Sequence, residues 1–337
     1  MTAKSIVLVT GPQYDKGAAC FSRQDDICFQ RVPDDEEGLA AAVTGAGARA
    51  VVVGTKRYQA GLYQALHSVG SAPALIARFG VGHDGIDKAE CRQRNILVTN
   101  TPGVLSDAVA ELTLVLMGAL ARQIVLMSLE MKSGKYQPRT GLQLQGRRLA
   151  VIGFGAIGRC VARGAHGGFG LRVTVVGTRP AAEVERQEGI PMAELLARFG
   201  AESYTTEVDA LLASADVVSL HLPPLPDKQA LLNRDRLASL KKEALLINTA
   251  RGSLVDEEAL FEALSEGRLA GAALDVSAQE PYVPAAPGKD LRTLPNVICT
   301  PHVGSNTGET NFRIADGCVR NVRSFLAGRL GEMNRVG

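Results

Sequence analysis

Short apolar runs alternate with longer stretches in which apolar residues recur at helical spacing, and the alternation continues along most of the chain. Ile6–Val9, Ile27–Phe29, Ala50–Val53, Ala74–Ala77 and Ile96–Thr99 read as strands, each bounded by Gly, Pro or polar turns. Helical periodicity lies between them around 35–46, 58–68 and 86–94. From Asp107 to about Met131 the pattern predicts one long helix, apolar nearly all round and so deeply buried between domains or subunits. A second strand series follows at Leu149–Ile152, Val173–Val176, Val217–Leu220, Leu245–Asn248, Gly271–Leu274 and Val297–Cys299. The segment 307–326 reads as a last helix ending near Gly328, and the long connection 181–208 carries a helix at 192–199. No repeat or low-complexity tract interrupts the series. Alternation of this kind predicts parallel sheets with helices on both faces, here as two α/β units joined near 101–106.

The length, 337 residues, agrees with two domains. With 46% hydrophobic and 21% charged residues the chain has the composition of a soluble globular protein. Its 37 basic and 35 acidic residues nearly cancel and form no basic stripe, so no nucleic-acid partner is expected. Met1-Thr2-Ala3-Lys4 runs straight into an apolar segment too short for a signal peptide. No run of about 18 apolar residues predicts a membrane span. The cysteines at 20, 28, 91, 160, 299 and 318 show neither paired nor metal-ligand spacing, so no metal site and a reduced, cytoplasmic protein are expected.

Gly153-Phe154-Gly155-Ala156-Ile157-Gly158 stands between a strand and a helix, the setting that a dinucleotide-binding turn needs. Gly153 permits the tight turn, Gly155 lets the pyrophosphate approach the backbone, and Gly158 lets the helix pack on the sheet. Free amides at the helix start would face the anion. At the end of the next strand an NAD site usually carries Asp or Glu for the ribose hydroxyls. This chain reads Val176-Gly177-Thr178-Arg179-Pro180, with no acid until Glu183. A 2′-phosphate would be repelled by a carboxylate, whereas Arg179 offers a planar fork of donors and Thr178 a hydroxyl. NADP(H) is therefore expected over NAD(H), with NAD(H) still possible. Arg179 stacked on adenine or turned to solvent is the alternative.

Three more clusters follow successive strands, at the end where α/β folds bind ligands. Asn248-Thr249-Ala250-Arg251-Gly252 supplies a cation, Asp275 with Gln279-Glu280 supplies acids, and Thr300-Pro301-His302 supplies a histidine. Hydride and proton transfer on an acid substrate needs a cation for the carboxylate, a group titrating near neutrality, and a carboxylate to tune it. Singly, each fits equally a surface ion pair, a turn histidine or a solvated loop acid; together, after neighbouring parallel strands, they point to one site.

Over nearly its whole length the sequence resembles the D-isomer-specific 2-hydroxyacid dehydrogenases. The resemblance rests on Arg78–Asp87, Asn100-Thr101-Pro102-Gly103 with Val109-Ala110-Glu111, the glycine turn, His221-Leu222-Pro223-Pro224, Asn248–Val255, Leu274–Pro281 and Thr300–Ser305, in the family's order. It implies two Rossmann-like or flavodoxin-like domains with parallel sheets: a substrate domain of 1–100 plus 307–337, and a cofactor domain, 101–306, inserted into it. Arg251 would bind the carboxylate and polarise the keto oxygen of a 2-oxo acid, and His302 would exchange a proton with that oxygen. Glu280 would pair with His302 and stabilise its imidazolium form. Asp275 would bond the nicotinamide carboxamide, and the amides of Val81 and Gly82 would complete the carboxylate site. Ala156, Ile157, His221, Pro223, Thr249, Ala250 and His302 would also line the cofactor. The helix from Asp107 resembles the family's dimerisation element, so a homodimer is expected, with a cleft between domains that closes over the substrate.

The chain departs from the family at the missing acid after the second strand and at the connection 181–208, which bears on either cofactor binding or assembly. Lys56 and Arg57 suggest a second anionic group on the substrate, or simply two solvated charges at a helix start. The leading function is NADP(H)-dependent reduction of a 2-oxo acid to the D-2-hydroxy acid, glyoxylate and hydroxypyruvate being examples. Formate or phosphite oxidation on the same scaffold is disfavoured because formate enzymes carry Gln where Glu280 stands. A non-catalytic, nucleotide-sensing corepressor is the reading from another class; retention of Arg251, Glu280 and His302 speaks for an enzyme.

Overall fold

The computed structural model describes residues 4–225 and 229–337. Met1–Ala3, on which the expectation about a leader segment partly rests, lie outside them. The chain divides into two compact units, Met1–Leu105 with Ser305–Gly337, and Ser106–Gly304.

The first unit runs β1 (Ser5–Thr10), α1 (Gly11–Phe21), β2 (Ile27–Val32), α2 (Glu36–Ala46), β3 (Ala50–Val53), α3 (Ala60–Ser68), β4 (Ala74–Arg78), α4 (Lys88–Gln93) and β5 (Ile96–Thr99). Its parallel sheet has the order β2-β1-β3-β4-β5, the flavodoxin-like arrangement. Strands buried on both faces must be apolar throughout, and β3 (Ala-Val-Val-Val) is buried at every position. Asp35 and Asp87 cap α2 and α4 with side-chain oxygens. The hydrophobic pattern does not predict α1, because Gly11, Pro12 and Gly17 break it. Pro12 nevertheless belongs in a first helical turn, where its missing N–H costs nothing.

The second unit opens with α5 (Ser106–Ala121) and α6 (Ile124–Lys132). Here the expectation of one long, buried helix is corrected. The axis bends by 65°, with Gln123 in the left-handed region at φ 52°. α5 is largely buried, but α6 buries no residue and exposes Ile124, Val125, Leu129 and Met131. No single helix among the described residues is long and apolar enough to cross a membrane.

There follow β6 (Arg148–Ile152), α7 (Ala156–Phe169), β7 (Arg172–Val176), α8 (Ala181–Glu188), α9 (Met192–Arg198), β8 (Ala201–Thr205), α10 (Val208–Leu212), β9 (Val217–Leu220), α11 (Arg234–Ser239), β10 (Leu245–Asn248), α12 (Glu257–Ser265), β11 (Gly271–Leu274) and β12 (Val297–Cys299). The parallel order β12-β11-β10-β9-β6-β7-β8 is the Rossmann order with one further strand. The connection 181–208 therefore holds more than the expected helix: α8, α9 and the half-exposed edge strand β8, whose polar Glu-Ser-Tyr-Thr content hides it from a search for apolar runs. Two apolar clusters fill this unit, one on each face of the sheet.

Back in the first unit, α13 (Gly308–Leu326) starts at Thr307, whose hydroxyl accepts from the Thr310 amide, and packs on α1. The close approach requires Gly17, where a Cβ would stand 2.9 Å from that of Ala315.

Candidate active site

The strand order of the second sheet reverses between β6 and β9, and ligands of open α/β sheets bind beyond the carboxyl ends of strands at such a point. The glycine turn stands there. A Cβ at Gly153, which has φ 108°, would come within 2.4 Å of the His221 carbonyl oxygen. One at Gly158 would come within 1.9 Å of the Gly153 carbonyl oxygen, so both positions exclude side chains. Gly155 instead faces open space. The first-turn amides of α7, at Ala156, Ile157 and Gly158, find no acceptor among the described residues. An exposed backbone cradle with free donors fits a pyrophosphate. Beside it the His221 ring shares a 2.8 Å hydrogen bond between Nε2 and Ser219 Oγ, while its buried Nδ1 has no partner among the described residues. Burial holds the ring neutral, its pKa pushed down to about 3. Pro223 is exposed two residues further on.

At the end of β7, Thr178 and Arg179 are exposed. The Arg179 guanidinium bonds Gln187 and lies 3.9 Å from Glu183, both on α8.

On the other side of the switch point the polar residues lock together. Asn248 brackets the turn after β10: its Oδ1 accepts from the Ala250 amide at 3.0 Å and its Nδ2 donates to the Arg251 carbonyl at 2.9 Å. Half-buried Arg251 donates from Nη1 to the Ala250 carbonyl at 2.7 Å. Thr249 turns inward, sharing a 2.8 Å bond with Thr113 on α5. Asp275, 1% exposed, accepts from Thr300 Oγ1 (2.6 Å) and the amides of Val303 (2.9 Å) and Gly304 (2.8 Å). These bonds hold the turn in which His302 adopts φ 53°, a conformation non-glycine residues keep only when their surroundings impose it.

Within the turn His302 Nδ1 meets Glu280 Oε2 at 2.7 Å. Burial works against ionisation of Glu280. The hydrogen bond and charge of His302, the Ser277 amide and the Arg251 cation outweigh it, so the pKa lies below the ordinary glutamate value. Arg251, Glu280 and His302 thus form one electrostatic group.

Glu257, which the sequence reading does not single out, belongs to its support. It is 7% exposed at the start of α12 and accepts the Ala278 amide at 2.6 Å, anchoring the loop that carries Glu280. Burial raises its pKa, the Ala278 bond opposes the rise, and the charge of Glu280 adds to it. The signal was present in Asp256-Glu257, but Asp256 explains itself as the cap of α12 and Glu257 looks like a solvated neighbour.

In the first unit, Gly80 (φ 128°) turns the chain after β4 so that the amides of Val81 and Gly82 find no acceptor among the described residues. Lys56, considered for a substrate anion, forms a 2.6 Å ion pair with Asp34. Among the described residues no cluster of His, Cys, Asp or Glu could hold a metal ion.

A Rossmann sheet with the dinucleotide turn at its switch point and an Arg-Glu-His group beyond β10–β12 defines an NAD(P)-dependent oxidoreductase. Residues 114–304 match the family described as D-isomer specific 2-hydroxyacid dehydrogenase, NAD binding domain. Glyoxylate reductase of Thermococcus litoralis is 36% identical over 271 residues, 77% of this chain and 76% of that protein. D-3-phosphoglycerate dehydrogenase of Methanocaldococcus jannaschii is 35% identical over 260 residues, 77% of this chain and 46% of that one. Among solved structures, the NADPH-dependent glyoxylate/hydroxypyruvate reductase of Sinorhizobium meliloti, in complex with NADP and malonate, superposes with a TM-score of 0.80 at 27% identity, covering 99% of this chain and 97% of that one. The chain belongs to the D-isomer-specific 2-hydroxyacid dehydrogenase family, and it is an NAD(P)-dependent oxidoreductase of 2-hydroxy acids.

Proposed function

We propose that this protein reduces a small 2-oxo acid to the D-2-hydroxy acid with NADPH, glyoxylate and hydroxypyruvate being the representative substrates. The observation that carries the reading is the 2.7 Å contact between His302 Nδ1 and Glu280 Oε2 beside Arg251. With Nδ1 directed to the carboxylate, Nε2 is the nitrogen left to exchange a proton with substrate. A nicotinamide cofactor held by the turn 153–158 would supply the hydride for C2. Arg251 binds the carboxylate and draws electron density from the carbonyl. His302, as imidazolium, transfers the Nε2 proton to the carbonyl oxygen, which becomes the hydroxyl, and Glu280 stabilises the cation before transfer. The amides of Val81 and Gly82, in the first unit, are assigned to substrate binding by the family resemblance.

The turn 153–158 with Ala156, Ile157, His221, Pro223, Thr249 and Ala250 is assigned to the cofactor. Asp275 chiefly holds the His302 turn and keeps only residual acceptor capacity for a carboxamide. The preference for NADPH is supported by exposed Arg179 and by the absence of an acid between Gly177 and Pro180. A homodimer is supported by the apolar residues that α6 exposes, beside a groove of about 700 Å³ lined in part by Val125, Leu126 and Leu129. Six free thiols support the reducing cytoplasm.

Protein, NADPH and a panel of 2-oxo acids, followed at the nicotinamide absorbance band, test the reading. Turnover of at least one short acid is expected. Tight NADPH binding without turnover of any acid would replace this reading with the corepressor.

A further inference from the structure

We infer that Tyr204, on the edge strand β8, is a positioning residue for cofactor discrimination, holding the Arg179 backbone where its guanidinium can receive a 2′-phosphate. The inference rests on the reading that Arg179 takes that phosphate. Tyr204 pairs with Val175 in the sheet register, and the ladder continues one step past β7 through the Gly177 amide, which donates to the Thr205 carbonyl at 3.0 Å. The phenol then lies directly against Gly177: a Cβ there would stand 1.8 Å from Tyr204 Oη and 2.5 Å from Cζ. Gly177 and Tyr204 are thus a matched pair, the missing side chain making room for the ring. From this position Oη donates to the Arg179 carbonyl at 2.5 Å. The ring also meets Phe154 of the glycine turn, edge to face, with centroids 6.4 Å apart. One side chain therefore touches both the turn assigned to the pyrophosphate and the loop assigned to the ribose phosphate.

Among the described residues the hydroxyl hydrogen-bonds only the Arg179 carbonyl, so its loss selects between cofactors. A loop residue exposed like Arg179 can deliver a charge-assisted bond only as far as its backbone is fixed, because ordering a free loop offsets the gain. NADH lacks the group that Arg179 would reach and is indifferent to the tether.

Calorimetric titration of NADPH and NADH into wild type, Tyr204→Phe and Arg179→Ala tests this, with Gly177→Ala as a second way to displace the ring. Wild type should bind NADPH more tightly, and Arg179→Ala should lose that preference. Tyr204→Phe should weaken NADPH roughly fivefold, the scale of one neutral hydrogen bond, with NADH affinity and saturated turnover unchanged. Gly177→Ala should lose at least as much of the preference. An unaltered NADPH-to-NADH ratio in Tyr204→Phe, with the ratio collapsed in Arg179→Ala, would overturn this inference and leave the Arg179 reading standing. Equal weakening of both cofactors would overturn it as well, leaving Tyr204 a structural residue. A wild type without NADPH preference would remove the Arg179 reading and this inference with it.

Discussion

On the β9–β12 flank of the second sheet, the turns beyond the strands are locked by buried polar side chains; on the β7–β8 flank, the loop beyond β7 is exposed and tied by the Tyr204 phenol and by exposed Arg179 contacts to α8. Asp275 alone takes three donors from the His302 turn, and Asn248 and Glu257 fix the turns beyond β10 and β11. Thr178, Arg179 and Pro180 are all exposed. Proton transfer demands placement to within a fraction of an ångström, which rigid, overdetermined turns provide. Recognition of a phosphate by a long cationic side chain tolerates more freedom. The first flank should therefore be brittle to substitution, and the second should change preference without losing the fold.

The largest effect on stability is expected at Asp275. Asp275→Ala leaves a half-buried hydroxyl and two amides without their acceptor and should cost about 3 kcal/mol, read from the urea midpoint. Turnover should fall with it, because His302 loses its imposed conformation. Asp275→Ala within about 1 kcal/mol of wild type would show that the flank is not locked as described.

Glu257→Ala should cost about 1–3 kcal/mol through the lost carboxylate bond to the Ala278 amide. It should also lower kcat more than it weakens cofactor binding, since it loosens the loop of Glu280. A loss confined to cofactor affinity would place Glu257 outside the support of the reacting group.

His221 sharpens the comparison through pH. Its pKa is about 3 in the fold against 6.5 for a free imidazole, so below pH 6.5 the unfolded chain takes a proton that the fold refuses. The fold should lose stability progressively as pH falls from about 6.5 towards 3. Replacing His221 by Gln should remove that part of the slope, and identical slopes in variant and wild type would contradict the buried neutral ring.

The smallest effect is expected on the other flank. Arg172→Ala breaks an exposed pair with Glu202 at 3.1 Å and should change stability by no more than about 1 kcal/mol. A larger loss would mean that β8 is held more firmly than its exposure implies.

Eleven of the strands were legible because parallel strands buried on both faces must be apolar runs, and the fold class followed from their alternation with helices. β8 was not legible, because an edge strand half in solvent can be polar. The break at Gln123 escaped for a different reason: a left-handed residue between two helices leaves no mark in an apolar pattern that continues across it. In the site, strand-end positions marked Arg251, Glu280 and His302 individually, and family resemblance supplied the expectation that the last two pair. Tyr204 and Glu257 were hidden because each acts on backbone far away in sequence, Tyr204 on Arg179 and Glu257 on Ala278. No local spacing encodes such contacts.

The most direct test is the steady-state rate of NADPH oxidation with glyoxylate or hydroxypyruvate for His302→Ala beside wild type, with NADPH affinity measured on both. The proton-transfer role predicts a fall in kcat of roughly a hundredfold or more, with cofactor affinity changed by less than about tenfold. Near-normal turnover in His302→Ala would contradict it.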